Sequence, residues 1–395
     1  MAIKKLAIVT THPIQYNAPL FRLLTERNRI APKVFYTWGK TSIENKFDPG
    51  FGKQIQWDIP LLDGYDYEFL ENVSTEKGSH HFKGIINPDI ITRIDAFEAD
   101  AILVFGWSFQ SHLKLLRHYH KKIPILFRGD STLLDPISSL KAGLRRLFLK
   151  WVYSHIDFAL YVGKNNRAYF KWMGLKDGQL NYAPHAIDNK RFAAESDTDA
   201  IKEPGIRGGL GIGTDEIVFL FAGKLEEKKD VISLLRAFTK SPLGTRLVIV
   251  GNGPLESPLK EAFEKIPSVH FMDFQNQSQM PSIYRLADVF VLPSKGPGET
   301  WGLAVNEAMA SGLAVLVSDR CGCAADLVED GKNGYIFKSE DISDLGSKMA
   351  LLVNAGKARI REMGAYSAHK IASFSFEAVC VAIENILHNN IREKA

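Results

Sequence analysis

Short apolar runs alternate with amphipathic stretches along most of the chain, and the rhythm resumes after one polar interruption. In the first half KKLAIVTT (4–11), residues 33–38, ADAILVFGW (99–107), PILFRGD (124–130), DFALYVG (157–163) and NYAPHAI (181–187) read as strands. Helical spacing falls between them at 19–26, 89–98, 110–121, 138–155 and 165–173. The stretch 39–86 breaks the pattern; QWDIPLL (56–62) is expected to be extended, and the tip near 74–81 to be mobile. In the second half EIVFLFAG (216–223), RLVIVGNGP (246–254), VHFMDF (269–274), DVFVL (288–292), AVLVSD (314–319) and residues 334–337 are the predicted strands. Helices are predicted at 230–239, 255–265, 279–286, 302–310, 342–354, 357–372 and 376–391.

Two such series predict an α/β protein of two doubly wound, Rossmann-like domains facing a cleft. The interruption at 188–213 is polar, charged and glycine-rich and reads as the linker. The expected division is 1–190 and 214–373 for the two domains, 191–213 for the linker and 374–395 for a C-terminal helix. Inside the linker Asp197-Thr-Asp199 imitates a metal-binding aspartate pair, but no buried strand precedes it. Gly209, Gly211 and Gly213 imitate a dinucleotide fingerprint, but precede a strand instead of following one. Both are read as linker.

Composition narrows the classes. The 395 residues are 45% hydrophobic and 24% charged, as in a soluble globular enzyme. A net charge of +4 makes no case for nucleic acid as a partner. Cys321, Cys323 and Cys380 are too few for a disulfide framework and are read as structural thiols. No run of 18 or more apolar residues and no signal-peptide cleavage pattern is found, so a cytoplasmic location is expected. The sequons at Asn72 and Asn276 are then without meaning.

The densest chemistry lies in ADVFVLPSKGPGETWGLAVNEAMASG (287–312), a strand, a glycine loop and a helix in succession. Its loop falls at the carboxyl end of a strand, where open parallel sheets bind ligands. Backbone N–H groups near Gly302 and Leu303, at the helix start, suit an anion such as phosphate. Glu299 and Glu307 flank that point, and carboxylates suit hydroxyl groups that donate to them. Hydroxyls on both sides of a phosphate describe a nucleotide sugar. The plainer alternative is a capping Glu299 and a solvated Glu307.

The pattern PS…E-x-x-G-L…EAMA-x-G resembles the donor-site motif of family 4 retaining glycosyltransferases. The likeness covers most of the second half and, more loosely, the first. It implies the GT-B fold, with a last helix crossing back to the first domain, and catalysis without metal or other cofactor. Gly223-Lys224-Leu225 through Lys229 resembles the family's G-R-L-x-x-x-K segment, with Lys224 where arginine is usual. The resemblance therefore assigns Lys224 and Lys229 to the diphosphate, Glu299 to the hexose and Glu307 to the ribose. It places Gly223, Gly253, Phe274 and Gln275 on the donor, the last three at its nucleoside side.

In the first half, HPIQYN stands where the family carries a glycine-rich loop, with Ile14 and Gln15 in place of glycines. His12, Gln15, Tyr16 and Asn17 are the acceptor-side candidates there. Arg128 and Asp130 end a strand on the same side; Arg128 suits an acidic acceptor and Asp130 a hydroxyl, the alternative being an Arg–Asp structural pair. Trp107 suits a sugar face or the core, and His185 a structural junction. The helix at 138–155 carries Lys141, Arg145, Arg146 and Lys150 beside Leu144, Leu147, Phe148 and Trp151. Packing of that apolar stripe on the sheet is expected, with contact to an anionic membrane as the alternative.

The expected activity is transfer of a sugar from a UDP- or GDP-linked donor to a glycan or lipid-linked acceptor, in surface polysaccharide or glycoconjugate synthesis. A nucleotide-sugar epimerase or hydrolase on the same fold would turn over donor with no acceptor. A non-catalytic sugar-nucleotide-binding protein would not need Glu299, Glu307 and Lys229 together.

Overall fold

The computed structural model describes residues 3–42, 46–48, 50–135, 140–193, 205–240 and 243–390. Asp197 and Asp199 lie outside them. The first half contains β1 (Lys4–Thr10), α1 (Ala18–Glu26), β2 (Ile30–Tyr36), β3 (Lys46–Asp48), β4 (Lys53–Ile55), β5 (Asp66–Phe69) and α2 (Ile90–Phe97). It continues with β6 (Ala101–Phe105), α3 (Gln110–Tyr119), β7 (Ile125–Arg128), α4 (Leu140–Tyr153), β8 (Phe158–Tyr161), α5 (Lys164–Trp172), β9 (Leu180–Tyr182) and α6 (Asn189–Ala193). After a helical turn α7 at 205–209 come β10 (Ile217–Ala222), α8 (Val231–Phe238), β11 (Thr245–Val250), α9 (Glu256–Phe263), β12 (Val269–Met272) and α10 (Met280–Arg285). The chain ends with β13 (Val289–Leu292), α11 (Leu303–Ala310), β14 (Ala314–Ser318), α12 (Ala324–Leu327), β15 (Gly334–Phe337), α13 (Ile342–Ile371) and α14 (Phe376–Asn390).

Two compact units result. Unit 1 comprises Met1–Lys46, Pro60–Pro184 and Phe376–Ala395; unit 2 comprises Phe47–Ile59 and His185–Ser375. Each is built on one parallel sheet, of order β5-β2-β1-β6-β7-β8-β9 in unit 1 and β12-β11-β10-β13-β14-β15 in unit 2. Leu6 to Val9, Phe219 to Phe221 and Val289 to Val291 have no exposed surface, as expected of strands covered on both faces. Each sheet reverses direction once, between β1 and β6 and between β10 and β13. Those reversals leave a crevice at the carboxyl ends of the strands.

In unit 1, α1 starts at Ala18 with a proline in its first turn and buries Ala18, Leu20, Phe21 and Leu24. α14 packs beside it, and the Arg27 guanidinium makes two bonds to the Glu384 carboxylate, at 2.6 and 2.7 Å. The carboxyl edge of this sheet is fixed by a buried polar cluster that hydrophobic periodicity does not reveal. The His112 ring faces the Gly106 carbonyl with one nitrogen and the Thr37 hydroxyl with the other, each at 3.0 Å. Burial pulls its pKa down to about 4. Asn87 donates to the carbonyls of Thr37 and Glu71.

Two expectations need correction, on residues 47–59 and on the helix α4. Residues 47–59, assigned to the first domain, pack in unit 2, where Phe51 and Trp57 meet Phe274. The base of the 74–81 tip is tied by Asn72, which is buried, donates to the Gly84 carbonyl and accepts from the N–H groups of Ser74 and Ile86. The helix α4 buries Leu149, Val152 and Tyr153, but Leu144 and Leu147 are 72% and 66% exposed, and Phe148 and Trp151 are also exposed. Most of the apolar stripe expected on the sheet therefore faces water. A stretch within Ile342–Asn389 is long and apolar enough, by length and composition, to cross a membrane, and half of it is buried in the protein. Non-helical geometry at Gly356 interrupts α13 there.

Candidate active site

The reversal between β10 and β13 brings two loops side by side, because Phe219 and Leu220 pair with Val289 and Phe290. One loop holds Gly223 to Asp230 and the other Pro293 to Gly302. The Lys295 N–H donates to the Lys228 carbonyl at 2.9 Å, and the Lys295 ammonium meets Glu227. Stitched this way, the loops set the Lys229 ammonium 2.5 Å from the Glu299 carboxylate, which also accepts from the Ser294 hydroxyl at 2.9 Å. The two side chains keep only 17% and 8% of their surface exposed. A cation and a carboxylate are thus presented together at the edge where the sheet accepts ligands. Each has a charged partner, so neither is an uncompensated buried charge.

Gly302 precedes α11 with φ 101°, a conformation that disfavours other residues; a Cβ there would lie 2.7 Å from the Leu292 side chain. No side chain caps α11, so the N–H groups of Leu303 and Ala304, ahead of the Val305 N–H that donates to the Gly302 carbonyl, keep their capacity for an anion. Behind the loop, the N–H groups of Gly322 and Cys323 donate to the carbonyls of Glu299 and Trp301. The thiols of Cys321 and Cys323 are buried, which raises both pKa values well above the usual range and suits structural roles.

Glu307 is neither solvated nor at a helix end. It is 3% exposed and accepts from the Tyr284 hydroxyl of α10 at 2.8 Å. Periodicity alone misses that tyrosine, and it misses a second brace as well. The Trp301 indole donates to Asn306 at 2.9 Å, and Asn306 donates to the His185 carbonyl at 3.0 Å.

On the other side of β10 the strand ends are packed backbone to backbone. At Gly251, φ is 134° and a Cβ would lie 2.0 Å from the Gly223 carbonyl oxygen. Gly253 makes a second close approach, where a Cβ would lie 2.6 Å from the Leu225 carbonyl oxygen, so Gly251 and Gly253 serve the fold of these loops and Gly223 supplies the carbonyl of the first approach. Asn252 between them is 2% exposed; it donates to Glu256 and Asp273 and accepts from the Phe274 N–H at 2.9 Å. Asn252 therefore positions Phe274, a role the glycine pattern does not announce. Gln275 turns back to the Asp273 carbonyl. The Lys224 ammonium lies 5.0 Å from the centre of the Phe51 ring.

The acceptor-side candidates are in unit 1. His12 meets Thr11 at 2.9 Å and sets its ring edge-on to Trp38. Gln15 and Tyr16 form the turn before α1, and Asn17 precedes that helix without capping it through its side chain. Arg128 does not present its charge to a ligand as expected. It is buried and donates to the carbonyls of Ala183 and Pro184, each at 2.9 Å. Burial lowers its pKa to about 10, with Asp130 acting in the opposite sense. Trp107 leans on Phe148 of α4. Among the described residues no group of three or more His, Cys, Asp or Glu is arranged to hold a metal ion.

The family model of glycosyl transferases group 1 matches residues 203–369, the part that carries both loops. The chain is 29% identical over 320 residues to a sulfoquinovosyl transferase of Arabidopsis thaliana, covering 76% of this chain and 58% of that protein. It is 31% identical over 185 residues to an alpha-monoglucosyldiacylglycerol synthase of Acholeplasma laidlawii, covering 45% of each. The match thus spans about half the length of these curated relatives. The Anabaena protein HepE, solved with UDP and glucose, superposes with a TM-score of 0.71 at 17% identity, over 98% of this chain and all of that one. That likeness, with two parallel-sheet units, makes the fold GT-B. Through residues 203–369, the chain is thus similar to the glycosyl transferases group 1.

Proposed function

We propose that this protein is a retaining, metal-independent glycosyltransferase of family 4, using a nucleoside-diphosphate sugar. The observation that carries the reading is the Lys229–Glu299 pair at the sheet reversal, with Glu307 on the adjoining helix. Negative charge grows on the departing diphosphate as the sugar leaves, and Lys224, Lys229 and the amino end of α11 would stabilise it. Lysine at 224 gives a point charge without the fork of an arginine. Glu299 would accept from hexose hydroxyls and Glu307 from the ribose. The acceptor oxygen attacks the anomeric carbon on the face the phosphate leaves; the C–O bond to phosphate breaks, and the leaving phosphate takes the hydroxyl proton. No side-chain nucleophile is needed.

Thermal stabilisation by UDP, GDP, TDP and CMP, with and without EDTA, tests the donor site. One nucleoside diphosphate at about 100 times its Kd should stabilise by about 2.7 kcal/mol, whatever the EDTA. UDP is the first candidate, since a fold relative was solved with it. No shift, or one abolished by EDTA, overturns the metal-free site. Donor breakdown without acceptor in the same samples would favour the epimerase or hydrolase.

The proposed acceptor is a glycan or a lipid-linked molecule at the cytoplasmic face of a membrane, in surface polysaccharide or glycoconjugate synthesis. Exposed Leu144, Leu147, Phe148 and Trp151 on α4, with exposed Arg145 and Lys150, support the lipid setting. A neighbouring cleft of about 570 Å³, lined by Phe82, Trp107, Phe109, Leu113 and Phe148, supports it too, as does a curated relative named for a diacylglycerol glycolipid. The protein should float with vesicles containing anionic lipid, and Leu144→Asp/Leu147→Asp should abolish flotation while leaving nucleotide binding intact. Flotation unchanged by the double variant would remove α4 from the membrane.

A further inference from the structure

Residues 50–58 form a strap over the carboxyl edge of the unit 2 sheet. At one end Phe51 lies under the Lys224 ammonium, beyond β10. At the other end the strap is bonded to the loop after β12. Asn276 donates to the Gln56 carbonyl at 2.7 Å, the Asp58 carboxylate accepts from the Ser278 N–H at 3.1 and 3.2 Å, and the Ser278 hydroxyl also donates to it. Lys53 pairs with Asp273 at 3.5 Å. Between these anchors Phe51 and Trp57 both meet Phe274 edge-on, with ring centres 4.9 and 6.2 Å apart. All three rings are only partly buried. Three aromatic rings held half in water, by polar bonds on either side, are a binding surface more than a core.

The order of the strands says what would lie there. Glu299 follows β13, Lys224 and Lys229 follow β10, and Phe274 follows β12, at the far edge. A donor with its sugar at Glu299 and its diphosphate at the lysines extends its nucleoside over β11 and β12. The ribose position agrees, because Glu307 is bonded to Tyr284 of α10, the helix that follows the 273–278 loop. We infer that Phe51, Trp57 and Phe274 form the stacking site for the donor's nucleobase, so that base recognition is completed by a segment inserted from the first half of the sequence. This rests on the proposed donor site. Stacking on aromatic faces is available to any base, so selectivity would come from polar groups at the ring edges.

The test uses Phe51→Leu and Trp57→Leu, which keep apolar bulk but remove the aromatic face, with Phe51→Tyr and Trp57→Phe as conservative partners. Binding of the nucleoside diphosphate selected with the wild-type protein, and of inorganic pyrophosphate, is measured by calorimetry on each. Each leucine variant should bind the nucleoside diphosphate about 10- to 100-fold more weakly. Pyrophosphate, which has no base, should bind Trp57→Leu as it binds the wild type, and the conservative variants should recover most of the nucleotide affinity. Unchanged nucleotide affinity in the leucine variants overturns the inference, as does tighter binding of both ligands, which would make the strap a cover. Failure of the wild-type protein to bind any nucleoside diphosphate overturns the donor site itself, a distinct result.

Discussion

Lys229→Ala is expected to lower kcat by about 10²- to 10³-fold, the effect of removing one fixed group that stabilises charge formed in the transition state. Lys229 is the stronger choice of the two lysines because it is held against Glu299, while Lys224 lies over Phe51. Its loss also leaves Glu299 with only Ser294 among these partners, so donor KM should rise as well. Lys229→Arg keeps the charge and should recover part of kcat. The measurement is steady-state transfer with the donor chosen by nucleotide binding, alongside the unfolding transition of the variant. A properly folded Lys229→Ala protein with kcat within about threefold of wild type would remove this cation from the chemistry, since threefold is far below any such electrostatic contribution.

Arg27→Ala is expected to destabilise unit 1 by about 3 kcal/mol, a value for a broken buried ion pair. The Glu384 side chain is 3% exposed and receives two bonds from Arg27; Arg29, the other cation nearby, is 3.5 Å away and largely in water. Removing Arg27 strands a carboxylate in a nearly dry place, whereas replacing both partners by apolar residues of similar size should be close to neutral. Urea unfolding of Arg27→Ala, Glu384→Met and Arg27→Met/Glu384→Met separates the cases. A loss below about 0.5 kcal/mol in Arg27→Ala would make the pair energetically equivalent to a surface salt bridge.

Sequence reasoning reaches the second unit further than the first, for a physical reason. The charges of GKLEEKKD and the carboxylates of ETWGLAVNEAMA are local: each sits in a loop or helix beginning at a strand's end, so a linear pattern places it. Arg128 also ends a strand, but its role depends on carbonyls 55 and 56 positions away, which no local pattern encodes. The same applies to Phe51 and Phe274, joined across the chain, and to Asn252, whose value lies in three loops meeting. In α4 the apolar count was right and the face was wrong. Amphipathic spacing says that a helix has an apolar side, not whether protein covers all of it.

Arg27 and Glu384 are 357 positions apart, yet they belong to one unit. During synthesis at about 5–20 residues per second, the arginine therefore waits about 20–70 s for its carboxylate. Over that interval the surface of α1 that α14 covers is open, while the whole of the second unit is being made. The first unit to begin is thus the last to be completed. The ribosome cannot deliver this protein as two finished beads in turn, and a nascent chain stalled after Ser375 would carry a complete set of segments for unit 2 beside an incomplete unit 1.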